Sequence, residues 1–198
     1  WLHHRVPTQD DAVLIERRNA KPLVTLDSSV AVKSLDLRTP FTTSGRPGLA
    51  VLTTLRATER VDLADGTVVL SGNAVFEKEL NLTGAQVETS ARFDVQGLLT
   101  LDHGGSLTFS GPAAQFVGSG GVAGAHFTFA ATDGAVIQLP GLTQLQAPGD
   151  FEQFFPAGTA FTASGPGSRL TVPDLVTVDG PVDWNVRGAP AVRFEAAN

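Results

Sequence analysis

The stretch Gly134-Ala-Val-Ile-Gln-Leu-Pro-Gly-Leu-Thr-Gln-Leu145 returns 33 residues later as Gly167-Ser-Arg-Leu-Thr-Val-Pro-Asp-Leu-Val-Thr-Val178. Gly134/Gly167, Ile137/Leu170, Pro140/Pro173, Leu142/Leu175 and Leu145/Val178 match in type at that constant offset. Working outward, Phe127-Thr-Phe-Ala, Phe161-Thr-Ala-Ser and Phe194-Glu-Ala-Ala recur at spacings of 34 and 33 residues. Self-similarity at a fixed period marks a stacked, quasi-one-dimensional fold. The middle of the chain repeats too. Leu80-Asn-Leu-Thr-Gly aligns with Leu99-Thr-Leu-Asp-His at an offset of 19, and Val87-Glu-Thr with Leu107-Thr-Phe at 20.

A coil of about 20 residues with short strands and Gly turns is the size of one rung of a parallel β-helix. Many runs alternate with period two, as in Leu-Thr-Leu and Leu-Thr-Phe, which turns one face inward. Breakers such as Asp65-Gly66, Ser71-Gly72, His103-Gly104-Gly105 and Pro166-Gly167 separate them. No long window holds an i, i+3, i+4, i+7 apolar stripe, so little helix is expected. The expected fold is all-β: one right-handed parallel β-solenoid over 1–198. Residues 1–22 form an N-terminal cap or first coil, 23–125 short coils, and 126–198 longer coils of 33–34 residues with loop insertions. Residues 113–125 carry no clear Leu-x-Leu rung. The structural rival is a pair of antiparallel sandwiches split near Gly111-Pro112, which leaves the in-register recurrence unexplained.

Composition narrows the function classes. The 198 residues are 42% hydrophobic and 17% charged, against about 25% charged in an average globular chain. A net charge of −6 with scattered basic residues argues against a nucleic-acid partner. No apolar run reaches the roughly 20 residues of a membrane-spanning helix, so no membrane insertion is expected. Cysteine is absent, which excludes disulfide staples and thiol chemistry. The chain opens Trp-Leu-His-His rather than with Met, and Phe194–Asn198 starts a repeat without finishing it. The expectation is a segment of a longer chain.

Two patterns carry a resemblance. One is the opening aromatic residue followed by Pro7-x-x-Asp10-Asp11-Ala-Val-Leu-Ile15, Val24-Thr-Leu and Val32-Lys-Ser-Leu-Asp-Leu37. The other is the Phe-Thr-Ala unit of 161–178 with its Leu-x-Val-Pro-x-Leu core. Together they resemble the β-solenoid repeats of large secreted bacterial surface proteins, including passenger-type β-helices. The resemblance implies an exported, multi-part, extracellular or cell-surface protein. Its motifs specify shape and carry no chemistry.

Parallel β-helices also host polysaccharide lyases and hydrolases, and a glycosidase needs two carboxylates about 5–9.5 Å apart. One period from Asp133 stands Pro166, and one period before Asp174 stands Gly141. No stacked acidic pair emerges, and the expectation is a non-enzyme without cofactor. Asp10-Asp11 supplies too few oxygens for calcium and reads as a turn and cap of the first coil. His3-His4 and Asp102-His103 lack a second ligand at metal spacing; His103 is expected in a solvated turn. Flat outward Thr arrays mark ice-binding solenoids, but outward positions here mix Asn81, Thr100, Gln138, Thr171 and Asp36 without a regular ladder. Asn81-Leu-Thr83 matches a glycosylation sequon, a common chance triplet.

The remaining candidate is an aromatic loop, Phe151-Glu-Gln-Phe154-Phe155, with Trp184 in the corresponding loop one period later. It is a candidate contact surface for a partner or carbohydrate, or a cover for the open side of the solenoid. The sequence therefore predicts a structural or adhesive rod that displays loops and packs end to end or laterally with itself or with further domains. A carbohydrate-binding module is the alternative, and a polysaccharide-active enzyme a more distant one.

Overall fold

The computed structural model describes residues 6–16, 23–118, 122–125, 128–138, 144–146, 159–171, 177–179, 182–187 and 191–193. Among these residues every regular element is a strand, and every strand pair is parallel. The chain is a parallel β-solenoid in which each turn crosses three faces. The first face runs through Thr67–Leu70, Gln86–Thr89, Ser106–Ser110, Thr128–Thr132, Thr159–Ser164 and Val182–Arg187. The second runs through Asn73–Phe76, Arg92–Val95, Gln115–Gly118, Val136–Gln138, Arg169–Thr171 and Ala191–Arg193.

Two long strands, Val30–Leu37 and Gly48–Ala57, bend around the corner between these faces and join them into one 15-stranded sheet. Their register shifts between Val32 and Ser34, the irregularity that lets a strand turn a corner. The third face is a separate six-stranded sheet from Val24–Leu26 to Val122–Ala125, which sets about six turns of regular solenoid. Beyond it, Gln144–Gln146 and Thr177–Asp179 pair as a two-stranded continuation.

Alternation explains the core. On the second face Leu35, Leu55, Ala74, Phe93, Phe116, Ile137 and Leu170 stand opposite one another in successive turns, all buried. The third face adds Val61, Leu80 and Leu99 in one column and Leu63, Leu82 and Leu101 in another. At mid-height the filling becomes aromatic: Phe93 packs on Phe76, Phe109 and Phe116 with ring centroids 5.2–6.3 Å apart, and Phe129 continues the spine at 5.3 Å from Phe116 and 5.6 Å from Phe109. Edge-to-face and offset pairs of this kind add to simple burial. The void between Leu37, Phe41, Leu55, Leu63 and Phe76 inside the early turns is lined wholly by apolar side chains.

Two glycines report how tightly the coil is wound. A Cβ on Gly72 would fall on the Thr53 carbonyl one turn below, so that corner admits only glycine. A Cβ on Gly118 would meet the Phe116 ring at 2.6 Å. This second contact explains why residues 113–125 do not read as a rung. The inward pair is Phe116-x-Gly118 rather than Leu-x-Leu, with one large ring leaning over the empty glycine position. The segment holds two strands, Gln115–Gly118 and Val122–Ala125, each in register with the turn before.

The offsets of 19 and 20 in the middle turns are the observed registers, Leu80 opposite Leu99 and Val87 opposite Leu107. Ile137 opposite Leu170 and Leu145 opposite Val178 likewise realise the 33-residue period. That period does not continue. Phe161 stands opposite Phe129 on one side and Trp184 on the other, and Leu170 opposite Val192, so the last described turn shortens to 22–23 residues; Phe194 lies outside the described residues. A solenoid keeps register through its ladders, while connections between strands vary freely in length. Among the described registers, those of 32–33 residues are the ones between residues 128–145 and residues 160–178.

Candidate functional site

The expected aromatic site is divided by the structure. Phe151, Phe154 and Phe155 lie outside the described residues. Trp184 belongs to the strand Val182–Arg187 rather than to a loop, opposite Phe161. Its register column continues Leu49, Val68, Val87, Leu107 and Phe129, all of which are buried. The sequence placed Trp184 by a 33-residue period that this turn does not follow.

His3 and His4 also lie outside the described residues. Asp11 builds a turn: its Oδ2 accepts from the Thr8 backbone N–H at 2.7 Å and the Thr8 hydroxyl at 2.9 Å. The Asp11 carbonyl then accepts from the Lys33 N–H at 2.9 Å, tying that turn to the next rung. Asp10 is exposed beside it. His103 sits at an exposed turn with φ of 52°, its Nδ1 3.1 Å from Asp102 Oδ2. Among the described residues no group of three or more His, Cys, Asp or Glu is gathered for a metal ion. Among the described residues no helix is long and apolar enough to cross a membrane.

Where the structure does gather charge is the edge between the second and third faces. Residues 19–21 apart in sequence sit one rung apart there. Arg56 donates through Nε and Nη2 to Glu77 Oε1 at 2.9 and 2.6 Å, and Lys78 Nζ donates to Glu59 Oε2 at 2.6 Å. Arg60 Nε bonds both Asp62 oxygens at 2.9 and 3.1 Å, with Glu79 3.9 Å from its Nη1. Asn81 Nδ2 donates to Asp62 Oδ1 at 2.6 Å, so the sequon asparagine is committed to a side chain of the preceding turn.

Further along the ladder, Arg38 holds Asp36 at 2.9 Å and approaches Glu16 at 3.7 Å. The hydrogen bond that Arg38 donates to Asp36, then the charge of Asp36, raises the Arg38 guanidinium above its ordinary range; Asp62 does the same for Arg60. Asp36 Oδ1 is the one buried side-chain polar atom without a partner among the described residues.

Chemically this edge is a clamp. Arg60 lies between Asp62 and Glu79 as a shared cation, as Arg38 does between Asp36 and Glu16. That arrangement offsets one of the two negative charges and joins adjacent turns. Sequence reasoning missed it because it sought acids one 33-residue period apart, while these partners follow the short period around a corner. Compared with protein-family models, with curated proteins and with solved structures, the chain matches none.

Proposed function

We propose that this chain is a non-enzymatic structural or adhesive module of an extracellular or cell-surface assembly. It acts as a stiff rod that displays loops and packs end to end or laterally. The observation that carries the reading is the continuous rung-to-rung ladder from Val30 to Arg193 on the first two faces. Each turn is hydrogen-bonded to the next, and the early turns are clamped again by Arg56–Glu77 and Lys78–Glu59. Such a ladder resists bending and stretching because a rung yields only when all its bonds yield together. Open β-edges favour joining, since unpaired strand groups seek partners. The likeness to secreted bacterial surface β-helices supports the extracellular placement.

Electron microscopy of the purified chain with light-scattering mass tests it. Rods joined into filaments or discrete oligomers are expected; a folded chain that stays monomeric at all concentrations overturns self-assembly. The carbohydrate-binding alternative keeps Phe151, Phe154, Phe155 and Trp184 as its contact residues, the last on the strand Val182–Arg187. Glycan retention abolished by Phe154→Ala/Phe155→Ala would replace the structural reading. Turnover of a polysaccharide by the chain would replace both.

A further inference from the structure

The outward positions of the first face assemble a neutral hydroxyl array that no single stretch of sequence displays. Three parallel strands, Ser106–Ser110, Thr128–Thr132 and Thr159–Ser164, lie side by side. Ser106 stands opposite Thr128, which stands opposite Ala160. Thr108, Ala130 and Thr162 form the middle column, and Ser110, Thr132 and Ser164 the third. The alternating residues Leu107, Phe109, Phe129, Ala131 and Ala163 are buried, so period-two alternation turns the hydroxyl-bearing positions outward. Thr108, Thr128, Thr132 and Thr162 are half-buried, and Ala130, framed by those four, is 8% exposed. The facing residues are 22 and then 32 apart in sequence, which hides the pattern from any search at one period.

The surroundings are short of charge. Between Asp102 and Asp150 the chain has a single Asp, Glu, Lys or Arg, which is Asp133. Its Oδ2 accepts the Ser110 hydroxyl at 3.2 Å, at the margin of the array. One rung earlier Glu88 occupies the Thr108 column, and one rung later Asp183 and Arg187 occupy the flanking columns. The neutral field is therefore three rungs deep.

We propose that this face binds ice. Adjacent rungs repeat at about 4.7–4.9 Å, and alternate residues along a strand at about 6.6 Å. A lattice of water molecules linked by hydrogen bonds of about 2.75 Å at tetrahedral angles places second-neighbour oxygens about 4.5 Å apart. The rung spacing thus falls within about 0.4 Å of a repeat in solid water. A hydroxyl has one donor and two acceptor sites. Ser110 spends its donor on Asp133 and Thr132 on the Phe109 carbonyl at 3.2 Å, so Thr108, Thr128 and Thr162 are the positions that substitute for lattice waters. The backbone ladder holds the columns in place before binding, which lowers the ordering cost of engaging several positions at once. Uncharged groups do not reorient water against the lattice, and the Thr and Ala methyls fill the spaces between hydroxyls. A sugar surface is a poorer match, because ring stacking needs outward aromatic faces and Phe109 and Phe129 are buried. This inference goes beyond the rod reading and stands without it.

The experiment is ice-affinity partitioning of the full chain during slow freezing, with circular dichroism confirming that each variant is folded. The chain should enter the ice phase severalfold more than Thr108→Lys/Thr162→Lys. Thr25→Lys/Thr42→Lys, on the third face, should partition like the unaltered chain. If the double variant does not fold, Thr108→Lys alone is expected to lose ice entry. Exclusion of the unaltered chain from ice overturns the proposal, as does partitioning insensitive to the first-face lysines. Retention on crystalline cellulose or chitin without ice entry, lost in the first-face variant, reassigns the face to polysaccharide and overturns it equally.

Discussion

The turns between Glu16 and Asp102 and those between Ser106 and Thr171 share one backbone plan but are held by different chemistry. In the early turns the core columns are mainly aliphatic, and the outer edge is laced by Arg38 and Arg60 to acids two residues away and by Arg56 and Lys78 to acids one rung away. In the later turns charge nearly disappears. The interior passes to Phe109, Phe116 and Phe129, and the first face to Ser and Thr. The parallel ladder is indifferent to what its outward side chains are, provided the inward ones fill the coil. Each stretch of surface is therefore open to a separate use.

The comparison can be broken by substitutions that act on one region only. The largest effect is expected at Phe93→Ala, at the junction of the two regions, where a fully buried ring touches three others. Losing it should cost about 3–5 kcal/mol, read as a lowered denaturant midpoint; a change under about 1 kcal/mol would mean the spine is not packed as described.

A middle-sized effect is expected in the later turns at Ser168→Ala. The buried Ser168 hydroxyl donates to the Ser164 carbonyl at 2.6 Å and accepts from the Gly134 N–H at 3.0 Å. Orphaning those backbone groups should cost about 1–3 kcal/mol. That loss should be the same at low and high salt.

The smallest effect belongs to the early turns. Arg60→Ala removes an exposed clamp and should cost no more than about 1 kcal/mol, shrinking further as salt screens the charges. The pH sign is set by the raised guanidinium. Its contribution is complete at every pH below the ordinary arginine range and disappears only as alkali deprotonates Arg60 in the folded state. A penalty for Arg60→Ala that changed between pH 6 and 9 would contradict this assignment.

Much of the fold was legible because rungs such as Leu80-x-Leu82 and Leu99-x-Leu101 advertise both alternation and period. Phe116-x-Gly118 did not, since one ring does the filling of two side chains and the pattern loses its second member. Trp184 was misplaced for another reason: a loop insertion in one turn looks like a new period until the next turn omits it. The hydroxyl array was illegible at any single spacing, and the Arg60 clamp lay at the short period around a corner, where the 33-residue search did not look. Both are products of register between strands, and register is set by the stacked ladder as a whole.

Hydrogen exchange read peptide by peptide, at low and high salt, tests the stacked two-region solenoid most directly. Protected amides should recur in three short blocks per turn from Val30 to Gln138. Added salt should loosen the blocks before Asp102 and leave those from Ser106 onward unchanged. Two cooperative units divided near Gly111-Pro112, or one salt response shared by both regions, would contradict it.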